Sequence, residues 1–174
     1  ISNIAIEPEV IDLIKCLKSM GSEIEFISDR KILIQGKDNL KGTDHKVIPD
    51  RIEVGTYMIA GALIGKNLNI QNIDQDHIQN ILRVFQELGI EFKLDKNSIS
   101  LSKSNIEVGT NLQTEEYPGF PTDLQAQMMV LLSRSKKQSS IIENIFENRY
   151  MHVPELNRMG AQISIEGNRS TISP

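Results

Sequence analysis

The chain has 174 residues, of which 39% are hydrophobic and 24% charged, as expected of a globular protein of one large domain or two small ones. Its net charge of −4, with no dense block of Lys or Arg, argues against a dedicated nucleic-acid-binding protein, and no apolar run approaches the ~20 residues that span a bilayer. No signal peptide is visible and the one cysteine, Cys16, cannot form an internal disulfide, so we expect a cytoplasmic protein without a membrane partner.

A unit recurs along the chain, and its clearest part is a helix that ends at a glycine. The copies read LKSMGSEIEF (17–26), FQELGIEFKL (85–94) and LNRMGAQISI (156–165). Apolar residues recur one, four and seven positions before each glycine, which is the spacing of one helix face, and they alternate after it, as in a half-buried strand. We therefore predict left-handed helix caps at Gly21, Gly89 and Gly160.

Each glycine is followed by a predicted β-hairpin, whose turns read SDRK, DKNS and EGNR. A further strand is predicted to end at each of the Asn-Ile pairs 3–4, 72–73 and 144–145. Helices are predicted at 9–20, 50–64 and 122–134, and the last two follow strands predicted at 45–48 and 106–114. The full unit is β-α-β-α-β-β. The sequence thus predicts an α/β (α+β) fold with two complete repeats and the second half of a third.

The half repeat at the front, together with Ile1 in place of Met, indicates that the chain begins within a repeat. The polar, Gly-containing stretch GKDNLKGTD (36–44) is typical of a linker. We predict two domains, residues 1–45 and residues 46–174, and expect the chain to be an internal piece of a longer protein.

Asp123 lies in EEYPGFPTDLQAQMMV (115–130), where a proline-rich turn opens an apolar run. One interpretation is that Asp123 is the N-cap of the following helix, a position at which Asp is strongly preferred. A second is that the turn, stiffened by Pro118 and Pro121, holds the carboxylate out for proton transfer. The two interpretations are compatible, and the sequence leaves both open.

Other candidate residues have simple structural interpretations. Asp50, in IPDRIEVGT, occupies the matching place in the preceding repeat and is predicted to cap a helix. Arg149, in FENRYMHVPEL (146–156), is either a surface ion pair or a residue that grips phosphate or carboxylate, and Asn148 is predicted to cap the next helix. The three histidines lie far apart without metal-ligand spacing, so no metal site is predicted. Cys16 is predicted to be a packed, unreactive thiol.

Three strings carry a resemblance to a known family: PDRIEVGTYMIAGAL, FPTDLQAQ and FENRYMHVPELNRMGA. They resemble the UDP-N-acetylglucosamine 1-carboxyvinyltransferase family of enolpyruvyl transferases, along essentially the whole chain. The last two strings separate this family from the shikimate-pathway enolpyruvyl transferases, which share the fold. The resemblance implies six β-α-β-α-β-β repeats arranged as two inverse α/β barrels, with residues 1–45 ending one barrel and residues 46–174 beginning the other.

The resemblance also implies an activity and a set of site residues. The family transfers the enolpyruvyl group of phosphoenolpyruvate to the 3-hydroxyl of UDP-N-acetylglucosamine, the first committed step of peptidoglycan synthesis, without a metal or organic cofactor. Asp123 falls at the carboxylate that contacts the 3-hydroxyl and accepts its proton. Ile145 falls at a position whose backbone contacts the nucleotide sugar. Arg149 falls near the substrate cleft, and Asp50 at an aspartate of the interdomain hinge.

Several elements of the family's active site are missing from the sequence. No segment matches the loop with the reactive cysteine, the early Lys-Asn pair, the later Asp-Leu-Arg segment or the last phosphate-binding arginine, and Tyr117 stands where a histidine is common. We therefore expect the chain to be inactive alone. Two alternatives remain open: a relative of the shikimate-pathway enzyme, and a non-catalytic paralogue or binding module built on the same repeat.

Overall fold

A computed structural model describes residues 1–174 and divides the chain into two units, Ile1–Ile48 and Pro49–Pro174. In the first unit, helix α1 (Pro8–Ser19) precedes the antiparallel hairpin of β1 (Glu23–Ser28) and β2 (Lys31–Gln35). Its apolar core consists of four buried isoleucines: Ile4, Ile14, Ile24 and Ile32. This unit has the helix and hairpin predicted for the half repeat.

The second unit contains two repeats in succession. The first comprises α2 (Arg51–Ile64), β3 (Leu68–Gln71), a 3₁₀ turn (Gln75–Ile78), α3 (Gln79–Glu87), β4 (Phe92–Asp95) and β5 (Ser98–Leu101). The second comprises β6 (Asn111–Gln113), a 3₁₀ turn (Thr122–Leu124), α4 (Gln125–Leu132), β7 (Ser139–Ile142), α5 (Val153–Arg158), β8 (Gln162–Glu166) and β9 (Arg169–Ser173). None of the five helices is both long enough and apolar enough to cross a membrane.

The two repeats build matching sheets. Strand order is β3-β5-β4 in the first repeat and β6-β7-β9-β8 in the second, so that the last strand of each hairpin lies between its hairpin partner and the strand that follows the first helix. These pairings are antiparallel, and only β6 runs parallel to its neighbour β7. The shared order confirms the predicted α/β fold of hairpin-bearing repeats.

The glycine that ends the helix before each hairpin adopts the predicted left-handed conformation. Gly21, Gly89 and Gly160 have φ angles of +98°, +69° and +100°. A Cβ added at any of them would meet no atom within 4 Å. The backbone conformation alone therefore favours glycine at these helix ends.

The predicted opening strands differ from the structure. The strand predicted at 45–48 is wrong, because residues 36–50 have no regular structure and pair with no strand. The strand predicted at 106–114 is reduced to β6, the stretch that pairs with β7. At the first two Asn-Ile pairs, Asn3 and Asn72 adopt φ angles of +55° and +59°, which an extended strand does not allow. Strand β3 therefore ends at Gln71, one residue before Asn72, and only an isolated bridge forms at Ser2.

The core of the second unit lies between its helices and the inner faces of its sheets. Met58, Phe85 and Met128 contribute fully buried side chains from α2, α3 and α4. Gly55 of α2 permits a close approach, since an added Cβ would overlap Leu124 of the second 3₁₀ turn. This contact fixes the turn that carries Asp123 directly above the apolar core.

Candidate active site

The turn that precedes Asp123 is held by several backbone hydrogen bonds. Glu115 N donates to Phe120 O at 3.0 Å, and Gly119 N donates to Glu116 O at 2.7 Å. The Tyr117–Pro118 peptide bond is cis. From α3, the buried Asn80 donates its Nδ2 to Gly119 O at 2.6 Å. Both repeats of the second unit therefore position this turn.

Asp123 does not cap a helix. It lies inside the 3₁₀ turn Thr122–Leu124, where Pro121 occupies the N-cap position, and no side chain caps this turn or α4. The predicted capping role is wrong because the helical segment begins at Thr122, two residues earlier than that role requires. The Asp123 side chain is 54% exposed, so its carboxylate is available to solvent and to a ligand.

Arg149 forms an ion pair with Asp123 and reaches the adjacent threonine. Its Nη2 donates to Asp123 Oδ1 and its Nη1 donates to Thr122 Oγ1, both at 2.8 Å. The guanidinium lies 5.1 Å from the centroid of the Phe146 ring, within the range of a cation–π interaction. The carbonyl of Arg149 accepts from Gln125 Nε2 at 3.3 Å. The Arg149 side chain is thus oriented at several points and still 36% exposed.

Ile145 lies in the loop between β7 and α5, and its side chain is 37% exposed. Its backbone N–H donates to Glu143 Oε1 at 2.9 Å, and the next N–H, that of Phe146, donates to the same oxygen at 3.1 Å.

The predicted helix cap at Asn148 is wrong. Asn148 has a φ of +56°, and α5 begins five residues later, at Val153.

Asp50 caps α2 as predicted. Its Oδ1 accepts from Ile52 N at 2.8 Å and from Glu53 N at 3.1 Å, and it borders a cavity of about 380 Å³ at the start of the helix. No hydrogen bond or ion pair links Asp50 to Asp123 or Arg149. Of the four predicted site residues, the structure brings Asp123 and Arg149 into direct contact. Ile145 is connected to them only through Glu143 and Thr122.

The half-buried His152 lies within the electrostatic influence of Arg149. Burial, and secondly the charge of Arg149, lower the pKa of His152 below its ordinary value of 6.5, so this imidazole is neutral at physiological pH.

No group of three or more His, Cys, Asp or Glu side chains is placed to hold a metal ion. A cavity of about 600 Å³ lies at the C-terminal ends of α2 and α4 and includes none of the predicted site residues.

The arrangement suits proton transfer from an alcohol. An exposed carboxylate can accept a proton, and the neighbouring guanidinium can bind an anionic group or orient the carboxylate. Sequence reasoning missed the contact of Thr122 with Arg149, and it missed the buried Glu143, which accepts from Thr122 Oγ1 at 2.9 Å. A usable signal was the glutamate flanked by apolar residues in IIENIF (141–146), since a charge that is buried there needs partners.

The whole chain, residues 1–174, matches the family described as EPSP synthase (3-phosphoshikimate 1-carboxyvinyltransferase). A UDP-N-acetylglucosamine 1-carboxyvinyltransferase from Pelagibacter ubique (strain HTCC1062) is 51% identical over 172 residues, covering 99% of this chain and 41% of that protein. A protein of the same name from Granulibacter bethesdensis is 47% identical over 165 residues, covering 95% and 39%. The chain thus spans about two fifths of the length of the curated relatives it matches.

Among solved structures, the enolpyruvyl transferase NikO from Streptomyces tendae superposes with a TM-score of 0.90 at 22% identity, covering 99% of this chain and 41% of that one. At this identity the likeness establishes the fold, which is that of the enolpyruvyl transferases. The resemblance seen in the sequence to UDP-N-acetylglucosamine 1-carboxyvinyltransferases is confirmed by the two relatives. The family match covers the whole chain and the fold agrees with it, so the chain belongs to the EPSP synthase (3-phosphoshikimate 1-carboxyvinyltransferase) family.

Proposed function

We propose that this chain forms part of an enzyme that transfers the enolpyruvyl group of phosphoenolpyruvate to the 3-hydroxyl of UDP-N-acetylglucosamine. The observation that carries the proposal is the exposed Asp123 carboxylate, held 2.8 Å from Arg149 on a hydrogen-bonded turn. Two relatives at 51% and 47% identity bear the name of this activity and support the choice of substrate. The product would serve peptidoglycan synthesis, and the free Cys16 thiol is compatible with a reducing, cytoplasmic location.

In this proposal Asp123 is the general base. It takes the proton of the sugar 3-hydroxyl, and the oxygen attacks C2 of phosphoenolpyruvate while C3 gains a proton. In the elimination that follows, C3 loses a proton as phosphate leaves C2, which restores the enolpyruvyl double bond. The backbone of Ile145 contacts the nucleotide sugar. Arg149 orients Asp123 and offers a cation to the anionic substrates. Asp50, which caps α2, contributes to substrate binding from the start of that helix.

The family description itself names a 3-phosphoshikimate enzyme, which is the main alternative. We favour the nucleotide sugar because the relatives that match most of this chain are named for it. A binding module without catalytic activity is the other alternative, and it predicts that Asp123 is dispensable. We also propose that residues 1–45 end one barrel domain, that residues 46–174 begin the other, and that the isolated chain does not turn over.

A hybrid enzyme tests this proposal. This chain replaces the matching segment of the Pelagibacter ubique relative, and phosphate release from phosphoenolpyruvate is measured with and without UDP-N-acetylglucosamine. We expect release only when the nucleotide sugar is present. The unmodified relative and the isolated 174-residue chain serve as positive and negative controls.

Circular dichroism and a melting curve first establish that the hybrid enzyme folds. A folded hybrid that releases no phosphate with UDP-N-acetylglucosamine contradicts the proposed function. Release with shikimate 3-phosphate instead would favour the alternative named by the family description.

A further inference from the structure

The second unit contains a buried carboxylate to which none of the roles above is assigned. Glu143 follows directly after β7, and it is only 3% exposed. Burying a charged carboxylate without partners costs several kcal/mol or more, so such a group persists only where donors surround it. Its partners therefore indicate what it stabilises.

Four donors converge on the two oxygens of Glu143. Oε1 accepts from Thr114 Oγ1 at 2.8 Å and from the consecutive backbone N–H groups of Ile145 and Phe146 at 2.9 and 3.1 Å. Oε2 accepts from Thr122 Oγ1 at 2.9 Å. One oxygen thus fixes the loop that contains Ile145, and the other fixes the turn that contains Asp123.

The second contact extends to the proposed general base. The Thr122 hydroxyl donates to Glu143 and accepts from Arg149 Nη1 at 2.8 Å. The other terminal nitrogen of Arg149 donates to Asp123 Oδ1, also at 2.8 Å. A continuous set of hydrogen bonds therefore runs from the buried carboxylate through Thr122 and Arg149 to the exposed one.

We propose that Glu143 is the positioning residue of this active site, setting the Ile145 loop through Oε1 and the Asp123 carboxylate through Oε2. The inference rests on the proposed function, because it assigns the two contacts to two different steps. The Oε1 contacts shape the loop that meets the nucleotide sugar. The Oε2 contact orients the base that takes its proton. Glu143 itself does not touch the substrate.

Replacing Glu143 with glutamine separates the two contacts. In E143Q the amide oxygen suits the Oε1 side, where three donors converge, so the NH₂ group faces Thr122. Thr122 Oγ1 then faces two donors and loses the acceptor for its own proton. The variant keeps the volume of the side chain and the order of the loop, while the connection to Arg149 and Asp123 is broken.

The activity test uses the hybrid enzyme. We expect E143Q to lower kcat on the order of 10- to 100-fold, as small misplacements of a catalytic group do, with KM for UDP-N-acetylglucosamine near the unmodified value. T122V breaks the same connection from the other side. The double variant E143Q/T122V should therefore lose no more than either single variant.

A matched control separates positioning from stability. The Tyr150 hydroxyl shares its single proton between two backbone carbonyls beneath the same loop, Asn168 O at 2.8 Å and Ile141 O at 3.1 Å. Y150F removes these buried bonds and should lower the melting temperature without the selective loss of kcat. If E143Q loses kcat only in proportion to its melting temperature, as Y150F does, or keeps the full kcat, the positioning role is refuted.

A second measurement does not depend on activity. In the isolated chain, amide hydrogen exchange at Ile145 and Phe146 should be slow, remain slow in E143Q and become fast in E143A. Fast exchange in the unmodified chain would refute the assignment of Glu143 to this loop. An inactive but folded hybrid with slow exchange at these amides would refute the proposed function instead, so the two failures are distinguishable.

Discussion

The Asp123–Arg149 ion pair contributes orientation more than stability. Its two side chains are 54% and 36% exposed, and ion pairs at that exposure contribute about 0–1 kcal/mol to the free energy of unfolding. The same exposure leaves the carboxylate accessible to a substrate. Arg149 is in turn fixed by Thr122 and Phe146, so the carboxylate faces a cation whose position is set by the fold.

This difference between orientation and stability predicts the behaviour of D123N. In the hybrid enzyme, the variant should lower kcat about 10²- to 10⁴-fold, the range lost when a general base is removed. Its melting temperature should remain close to that of the unmodified hybrid, because the lost ion pair is exposed. Phosphate-release kinetics and a melting curve provide both values. D95N, at an exposed aspartate in the β4–β5 hairpin, is the matched control, and equal activity of both variants would contradict the role of Asp123.

The lowered pKa of His152 predicts the sign of a pH dependence in the stability of the second unit. Burial first, and the charge of Arg149 second, lower the pKa of His152 in the folded chain below 6.5. The unfolded chain therefore binds more protons than the folded chain once the pH falls to this range. The contribution of His152 to the free energy of unfolding is intact above pH 6.5 and is lost as the pH falls through the lowered pKa.

H152Q, which is uncharged at every pH, isolates this effect. Urea unfolding of the second unit is measured for both chains between pH ~7.5 and ~5. The free energy of unfolding should fall more steeply toward low pH in the unmodified chain than in H152Q, since the contributions of the carboxylates cancel in the difference. Parallel pH profiles would contradict the prediction.

At the scale of elements, α2 depends on a cap that Asp123 does not provide for α4. Asp50 accepts from two N–H groups of the first turn, at 2.8 and 3.1 Å. D50A should lower the free energy of unfolding by about 1 kcal/mol, while D50N should be nearly neutral because Asn caps equally well. Urea denaturation measures both. Equal losses in the two variants would assign the stabilisation to the charge of Asp50 instead of to its hydrogen bonds.

The elements that the sequence predicts well are those whose signals are local. A helix that ends at Gly89 and a strand that alternates after it need only their own residues to be recognised, so the hairpins and the left-handed caps are confirmed. The strand predicted at 45–48 fails because a strand also needs a partner. Asn148 fails as a cap because its left-handed backbone belongs to the loop and not to the start of α5.

At the scale of the molecule, the candidate site depends on contacts between residues far apart in the sequence, and hydrophobic periodicity cannot predict such contacts. Its carboxylate and guanidinium are 26 residues apart, and Thr114 reaches Glu143 across 29 residues. The resemblance of FPTDLQAQ to a known family indicated Asp123, whereas the residues alone left both a cap and a catalytic group open. The contact between Glu143 and Thr122 could be found only once β7 and the 3₁₀ turn were placed side by side.

The two units have cores of very different size, which predicts different local stabilities. The first unit buries four isoleucines and leaves Phe26, Leu33 and Ile34 of its hairpin 46–58% exposed. The second buries apolar side chains from four helices and both sheets. A single small core in fewer than ~70 residues rarely supplies more than about 3–5 kcal/mol.

Native-state hydrogen exchange of the isolated chain measures this difference directly, because exchange of a protected amide reports the free energy of opening. Amides that pair β1 with β2 should exchange faster than those that pair β7 with β9, even though both pairings are antiparallel. The comparison of two antiparallel pairings controls for strand geometry, so a difference reports the core beneath each sheet. Equal protection of the two strand pairings would mean that the four isoleucines support the first unit as strongly as the larger core supports the second.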